Sequence, residues 1–201
     1  MGGAACLASC GNSDSTLKFD GSGDVGQVVI PGSMSYDAGT DTYTLSASGV
    51  NLWGETDAYY MVWKKVTGDF EIFGEIAFEG EGVNPHRKLG FMIRESLDND
   101  SRYADIAIHG DGLTSLQYRE EKHGETKESV SENSAPTCIQ LIRRGNQIAV
   151  RTGAGALPET DDTSIELAFP DECYVGLFMC SHEDSISETG YIRNVKLDLK
   201  K

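Results

Sequence analysis

Apolar and polar residues alternate with a period of two along nearly the whole chain, the pattern of strands that bury one face. No stretch of about 12 residues keeps the i, i+3, i+4, i+7 spacing of an amphipathic helix. The cleanest alternation runs over residues 68–79, where Phe70, Ile72, Ile76 and Phe78 take one side and Glu71, Glu75 and Glu79 the other. Residues 25–30 form a first apolar run, stopped by Pro31-Gly32. Residues 33–36 and 42–47 flank Asp37-Ala38-Gly39-Thr40-Asp41, a hairpin signature. Residues 137–143 and 147–151 close around Gly145-Asn146, where a positive φ costs little. Residues 59–66 are rich in aromatics, and 173–181 are almost continuously apolar, as suits a central strand. Residues 191–199 turn Val195, Leu197 and Leu199 inward. About a dozen short strands at spacings of roughly 8–12 residues predict an all-β sandwich or jelly roll. The stretches 11–22, 120–136 and 153–163 are dense in charge, Ser/Thr or Gly and are predicted as loops.

Between His86 and Glu120 the runs HRKLGFMIRE, SRYADIAIHGDG and LTSLQYRE give three alternating strands separated by Asp/Asn/Gly turns. If Leu89, Phe91, Ile93, Ile106, Ile108, Leu116 and Tyr118 point into the core, Arg94, Asp105, His109, Gln117 and Arg119 emerge together on the opposite face. These donors and acceptors lie beside Gly90 and Ala107, which leave space for a pyranose ring. The apolar side of a sugar packs on an aromatic face, for which Trp63, Tyr59 and Trp53 are the candidates. The competing reading is a solvated face on which Arg94 merely pairs with Asp105, with Trp53 and Trp63 in the core.

Catalysis fits this pattern less well. Glycoside hydrolysis takes two carboxylates flanking the bond, and Glu71 and Glu75 on one strand stand roughly 13 Å apart, too far for a retaining pair. Alternation turns Glu95 and Glu120 inward, away from the polar face. His109 as a base, with Arg94 neutralising charge, would suit a lyase.

A net charge of -15 and a pI near 4.5 argue against a nucleic-acid partner, which would call for a basic stripe. Hydrophobic content of 39% with 23 glycines describes a turn-rich protein with a packed core. Leu7-Ala8-Ser9-Cys10 matches a lipobox, in which the cysteine is acylated, although a basic n-region and an apolar h-region of the usual length are missing. On that reading residues 1–22 are a truncated lipoprotein leader and tether, and 23–201 are the sandwich domain. The protein is then an exported envelope lipoprotein that meets the membrane only through its anchor at Cys10. The alternative is a disordered tail with incidental cysteines.

Cys138, Cys173 and Cys180 remain, an odd number that leaves at least one free thiol. Cys180 and His182, two apart on a strand, would share a face. Asp98-Asn99-Asp100 forms an oxygen-rich turn that could take calcium or simply turn the chain. No other metal and no cofactor is expected. His86-Arg87-Lys88 is the one basic triplet, either a guide for an anionic ligand or the start of a strand after Asn84-Pro85.

The run from Gly68-Asp69-Phe70 through Gly90-Phe91-Met92-Ile93-Arg94, with the later YVGLFMCSH and YIRNVKL, resembles the bacterial exported domains of unknown function in the concanavalin A-like lectin/glucanase superfamily. The resemblance spans roughly residues 23–199 and implies a two-sheet jelly roll with a concave face that often takes an extended sugar chain. The E-x-D-x-x-E signature of the superfamily's glucanases is absent. Because such a fold carries lectins, hydrolases, lyases and structural modules alike, three functions follow as expectations. The first is a module binding a poly- or oligosaccharide. The second is a glycosidase or lyase using the same face, and the third a non-catalytic envelope interaction module.

Overall fold

The computed structural model describes residues 17–200, and these build two antiparallel sheets packed face to face, with no helix among the described residues. In chain order the strands are β1 (Gly21–Val25), β2 (Ser33–Asp37), β3 (Thr42–Gly49), β4 (Asn51–Trp53), β5 (Thr56–Thr67), β6 (Phe70–Phe78), β7 (Lys88–Arg94) and β8 (Tyr103–His109). They continue as β9 (Thr114–Arg119), β10 (Thr126–Val130), β11 (Cys138–Arg144), β12 (Gln147–Gly153), β13 (Thr163–Glu166), β14 (Glu172–Cys180) and β15 (Glu183–Leu199). One sheet runs β1-β5-β14-β7-β8-β9-β10 with β4 added to β5, and the other runs β13-β12-β11-β6-β15-β3-β2. This is the all-β jelly-roll sandwich that the alternation predicts.

Between the sheets Leu89, Phe91 and Ile93 of β7, Ile106 of β8 and Leu116 of β9 meet Ile72, Leu141 and Ile192 from the opposite sheet, all fully buried. Alternation then fixes what the other face of β7–β9 carries. The register sets Met92 opposite Asp105 and Asp105 opposite Gln117, while Tyr103 stands between Arg94 and Arg119.

Several elements differ from the sequence reading. β1 ends at Val25, because Gly26 turns at φ 78° where a Cβ would collide with the Asp57 carbonyl, so residues 27–30 are not strand. Within the predicted tether, Leu17 and Phe19 pack on the core and Asp20 N donates to Trp63 O at 2.8 Å. The sandwich thus begins before residue 23. The predicted loop 120–136 contains β10, an edge strand whose exposed Lys127, Glu128 and Val130 hide its periodicity. Glu95 and Glu120 do not turn inward. They follow the last residues of β7 and β9 into solvent, beside Arg102 at 3.7 Å and Lys127 at 2.6 Å. Cys10 and its lipobox lie outside the described residues.

Candidate functional site

The five polar residues of β7–β9 do share one face, but that face is covered. The chain leaves β3 through Gly49 (φ 116°), where a Cβ would strike the Ala58 carbonyl, and folds β4 back along β5 over the sheet. Leu52 of β4 is driven into a second apolar cluster with Val25, Tyr59, Met61, Met92, Tyr103, Ala107, Phe178 and Cys180. Arg94, Asp105 and Arg119 consequently have no exposed surface. An open polar face was the expectation; a short hairpin with one well-placed leucine closes most of it.

Beneath the hairpin the charges are paired, though not as Arg94 with Asp105. Asp57, at the start of β5, accepts from Arg94 Nη1 at 2.9 Å and from Arg119 Nη1 and Nη2 at 3.0 and 2.8 Å. Arg94 also donates to Tyr59 Oη and to the Asp98 carbonyl, and Arg119 to the carbonyls of Gly54, Ser101 and Gly124. With Arg94 Nε donating to Ser96 O at 2.9 Å, every nitrogen of both guanidiniums has an acceptor, and Arg119 ties the turn at Gly54 to the sheet.

Lys88 is likewise enclosed, its Nζ donating to Asn51 Oδ1, Leu52 O and Gln117 Oε1 at 3.0, 3.0 and 3.1 Å. Neither carboxyl oxygen of Asp105, nor Ser115 Oγ, has a hydrogen-bond partner among the described residues. Burial pushes the Asp105 carboxyl well above the usual range, against the pull of Lys88, and the same burial lowers Lys88.

What stays open is one end of this face. There Asn51, Trp53, His86, Lys88, His109, Leu113, Gln117, Glu128 and His182 line a pocket of about 240 Å³. Trp53 is 39% exposed, with Lys88 Nζ 5.5 Å from its ring centroid. His86 lies against His109 and His182, with ring centroids 6.1 and 5.7 Å apart. Since a carbonyl can only accept, His109 Nδ1 carries the proton it shares with Leu113 O at 3.0 Å, leaving Nε2 as an acceptor. Burial first, then Lys88, holds the His109 pKa down to about 4, so the ring is neutral at pH 7. Burial also lowers His182.

Of the predicted site residues, His109 and Gln117 reach this pocket, while Arg94, Asp105 and Arg119 lie under the hairpin. Trp63 stands elsewhere, its ring laid over β1 so that a Cβ at Gly21 would come within 2.8 Å of it. Tyr59 is fully buried, and Trp53 is the aromatic that faces the pocket. Lys88 was legible, because it shares the parity of Arg94 on β7. His182 and Cys180 do not share a face, since β14 ends at Cys180 and His182 takes φ 62°. The buried Cys180 thiol is pushed up to about 11. Asp98 and Asp100 pair with Lys122, and among the described residues no group of three or more His, Cys, Asp or Glu is placed to hold a metal ion.

No protein-family model and no curated protein matches the chain. Solved structures do. A functionally unknown protein from Saccharomyces cerevisiae is similar at a TM-score of 0.64 and 15% identity, over 84% of this chain and 92% of that one. A carbohydrate-binding module, CBM66 from Bacillus subtilis, is similar at 0.54 and 13%, over 90% and 97%. An alginate lyase from Corynebacterium sp. is similar at 0.52 and 10%, over 88% and 92%. At these identities the likeness establishes the shared concanavalin A-like jelly-roll fold.

Proposed function

We propose that the protein is a carbohydrate-binding module whose ligand docks at the open end of the eight-stranded sheet, against Trp53. The carrying observation is the pocket itself, which sets the partly exposed indole of Trp53 beside the His109 imidazole, the Gln117 amide and the Glu128 carboxylate. An aromatic face with a few convergent polar groups suits a sugar ring, and a jelly roll also carries the carbohydrate-binding module and the alginate lyase. Binding is favoured over hydrolysis because the pocket wall supplies one carboxylate, Glu128, where glycoside hydrolysis takes two. His109 is disfavoured as a lyase-like base too, since an imidazole with a pKa of about 4 is a weak base at neutral pH.

A glycan array followed by titration calorimetry tests this. Trp53→Ala is expected to weaken binding about ten-fold through the lost aromatic contact. Trp63→Ala, outside the pocket on β5 with its ring over β1, leaves affinity within about two-fold. Failure of every glycan at millimolar concentration, or wild-type affinity in Trp53→Ala, would sink the proposal.

We further propose export with a lipid anchor at Cys10, on the strength of Leu7-Ala8-Ser9-Cys10. When the chain is expressed behind a complete leader, the mature protein should partition into detergent and Cys10→Ala into the aqueous phase. Equal partitioning of the two would count against it.

A further inference from the structure

The pocket at Trp53 does not stand alone. β11 covers β6 only as far as Glu75, opposite Cys138, and the last backbone bond between them runs from Ile76 N to Thr137 O at 2.9 Å. Before that point the chain bends away. Ala135 takes φ 47° and its N–H donates to Gly112 O at 2.9 Å, while Pro136 has no N–H to offer a ladder. The end of β6, Ala77 and Phe78, is thereby left beside two hollows of about 200 Å³ each, which share Ile76, Ala77 and Thr137 as a common wall.

The first hollow is apolar, walled by Phe78, Ile108 and Pro136 and floored by Gly110 and Gly112. Arg87 stacks over Phe78 at 4.2 Å and is itself held by Glu188 at 2.6 Å, which fixes that wall. His109, itself buried, lines both this hollow and the Trp53 pocket. The second hollow opens on the outer face of the seven-stranded sheet, between Tyr191, Glu75 and Arg193. The Tyr191 ring is anchored by its hydroxyl, which donates to Glu79 Oε1 at 2.8 Å, and the Arg193 guanidinium stands 5.7 Å from its centroid. Arg193 and Glu75 are exposed beside it, with Glu75 Oε1 accepting from Asn194 Nδ2 at 3.0 Å.

We propose that these three hollows form one track that wraps the open end of the sandwich and binds an oligosaccharide of at least three sugar units, with Tyr191 as a second stacking platform. This rests on the carbohydrate reading above and adds the size of the ligand and its path. Each hollow is smaller than the roughly 300–1,000 Å³ of a pocket for a drug-sized molecule, so each holds about one ring. The order along the track is aromatic with polar groups, then apolar, then aromatic with polar groups. A sugar chain offers the matching surface, apolar C–H faces bordered by hydroxyls. The small, exposed Ala77 keeps the junction between the two hollows clear, while Gly110 and Gly112 let Arg87 and Ser134 pack close beneath the first.

Calorimetry with alginate and β-1,4-glucan oligosaccharides of one to six units tests the track on the full chain. For at least one series, wild-type affinity should climb with each unit up to three or more. Tyr191→Ala should lower affinity for the tetramer about ten-fold and leave the monomer and dimer unchanged, with Tyr191→Phe close to wild type. Ala77→Arg, which fills the junction from an exposed position, should act like Tyr191→Ala and serves if the latter is poorly folded. If affinity is independent of length, or Tyr191→Ala and Ala77→Arg bind the tetramer as the wild type does while Trp53→Ala still weakens binding about ten-fold, the track is overturned and the pocket stands. If neither series binds the wild type at millimolar concentration, the track falls, and the array decides whether the carbohydrate reading falls with it.

Discussion

Asp57 shows how a residue can be decisive without being visible in the sequence. Two guanidiniums converge on its carboxylate, and all three side chains are completely buried. Arg94 and Arg119 were legible as sharing a face, because strand parity alone sets that. Their partner was not, since it comes from β5, 37 and 62 residues away, at a position that becomes opposed to them only once β4 folds over the sheet. Removing one member of a buried ionic group leaves its partners uncompensated, at about 3–5 kcal/mol. Asp57→Asn keeps the shape and deletes the charge, so denaturant unfolding should show a loss of that size. A change below about 1 kcal/mol would mean that the backbone carbonyls around the two arginines hold them without the carboxylate. Lys88 teaches the reverse lesson. Its parity was plain, but a lysine at the head of a strand reads as solvated until three acceptors, two of them in β4, are found around its ammonium.

At the scale of elements, legibility followed length and one-sidedness. β6, with isoleucine and phenylalanine on one side and glutamate on the other, and the β11–β12 hairpin about Gly145-Asn146 stand where the pattern sets them. β14 is a central strand of its sheet and is apolar on both faces, because it has a core on each side. β4 escaped notice for a physical reason. Three residues cannot display a period, and Asn51-Leu52-Trp53 takes its conformation from tertiary contact, with Leu52 packed into the second cluster and Asn51 bound to Lys88. β10 escaped because an edge strand in solvent needs no apolar side. The candidate site was therefore half legible. The sheet that carries His109 and Gln117 follows from alternation, whereas the hairpin that covers Arg94, Asp105 and Arg119 and brings Trp53 to the pocket does not.

For the whole molecule, this arrangement makes the response to acid depend on groups held against their preference. His109 is neutral in the fold to about pH 4, against 6.5 for an unconstrained histidine, because it is buried beside Lys88 and His86. Between those two values the unfolded chain takes up a proton that the folded chain refuses, so stability falls as pH drops from about 6.5 to 4 and levels off below. The loss approaches about 3 kcal/mol, following the separation of the two pKa values. His182, also lowered by burial, adds a contribution of the same sign. Asp105 works the other way. Its raised pKa means that the fold keeps a proton the unfolded chain has released, so its contribution is lost as pH rises from about 4. A raw stability profile mixes these slopes with relief of self-repulsion in a chain of charge -15. The difference between wild type and His109→Gln, which retains a donor for Leu113 O, isolates the histidine. Denaturant unfolding at half-unit steps from pH 7.5 to 4 should show the wild type losing up to about 3 kcal/mol relative to the variant, with most of the change below about pH 6.5. Parallel profiles would mean that His109 titrates in the fold near its ordinary value of 6.5, so that the pocket beside Trp53 carries a cation in mild acid where a neutral acceptor is assigned.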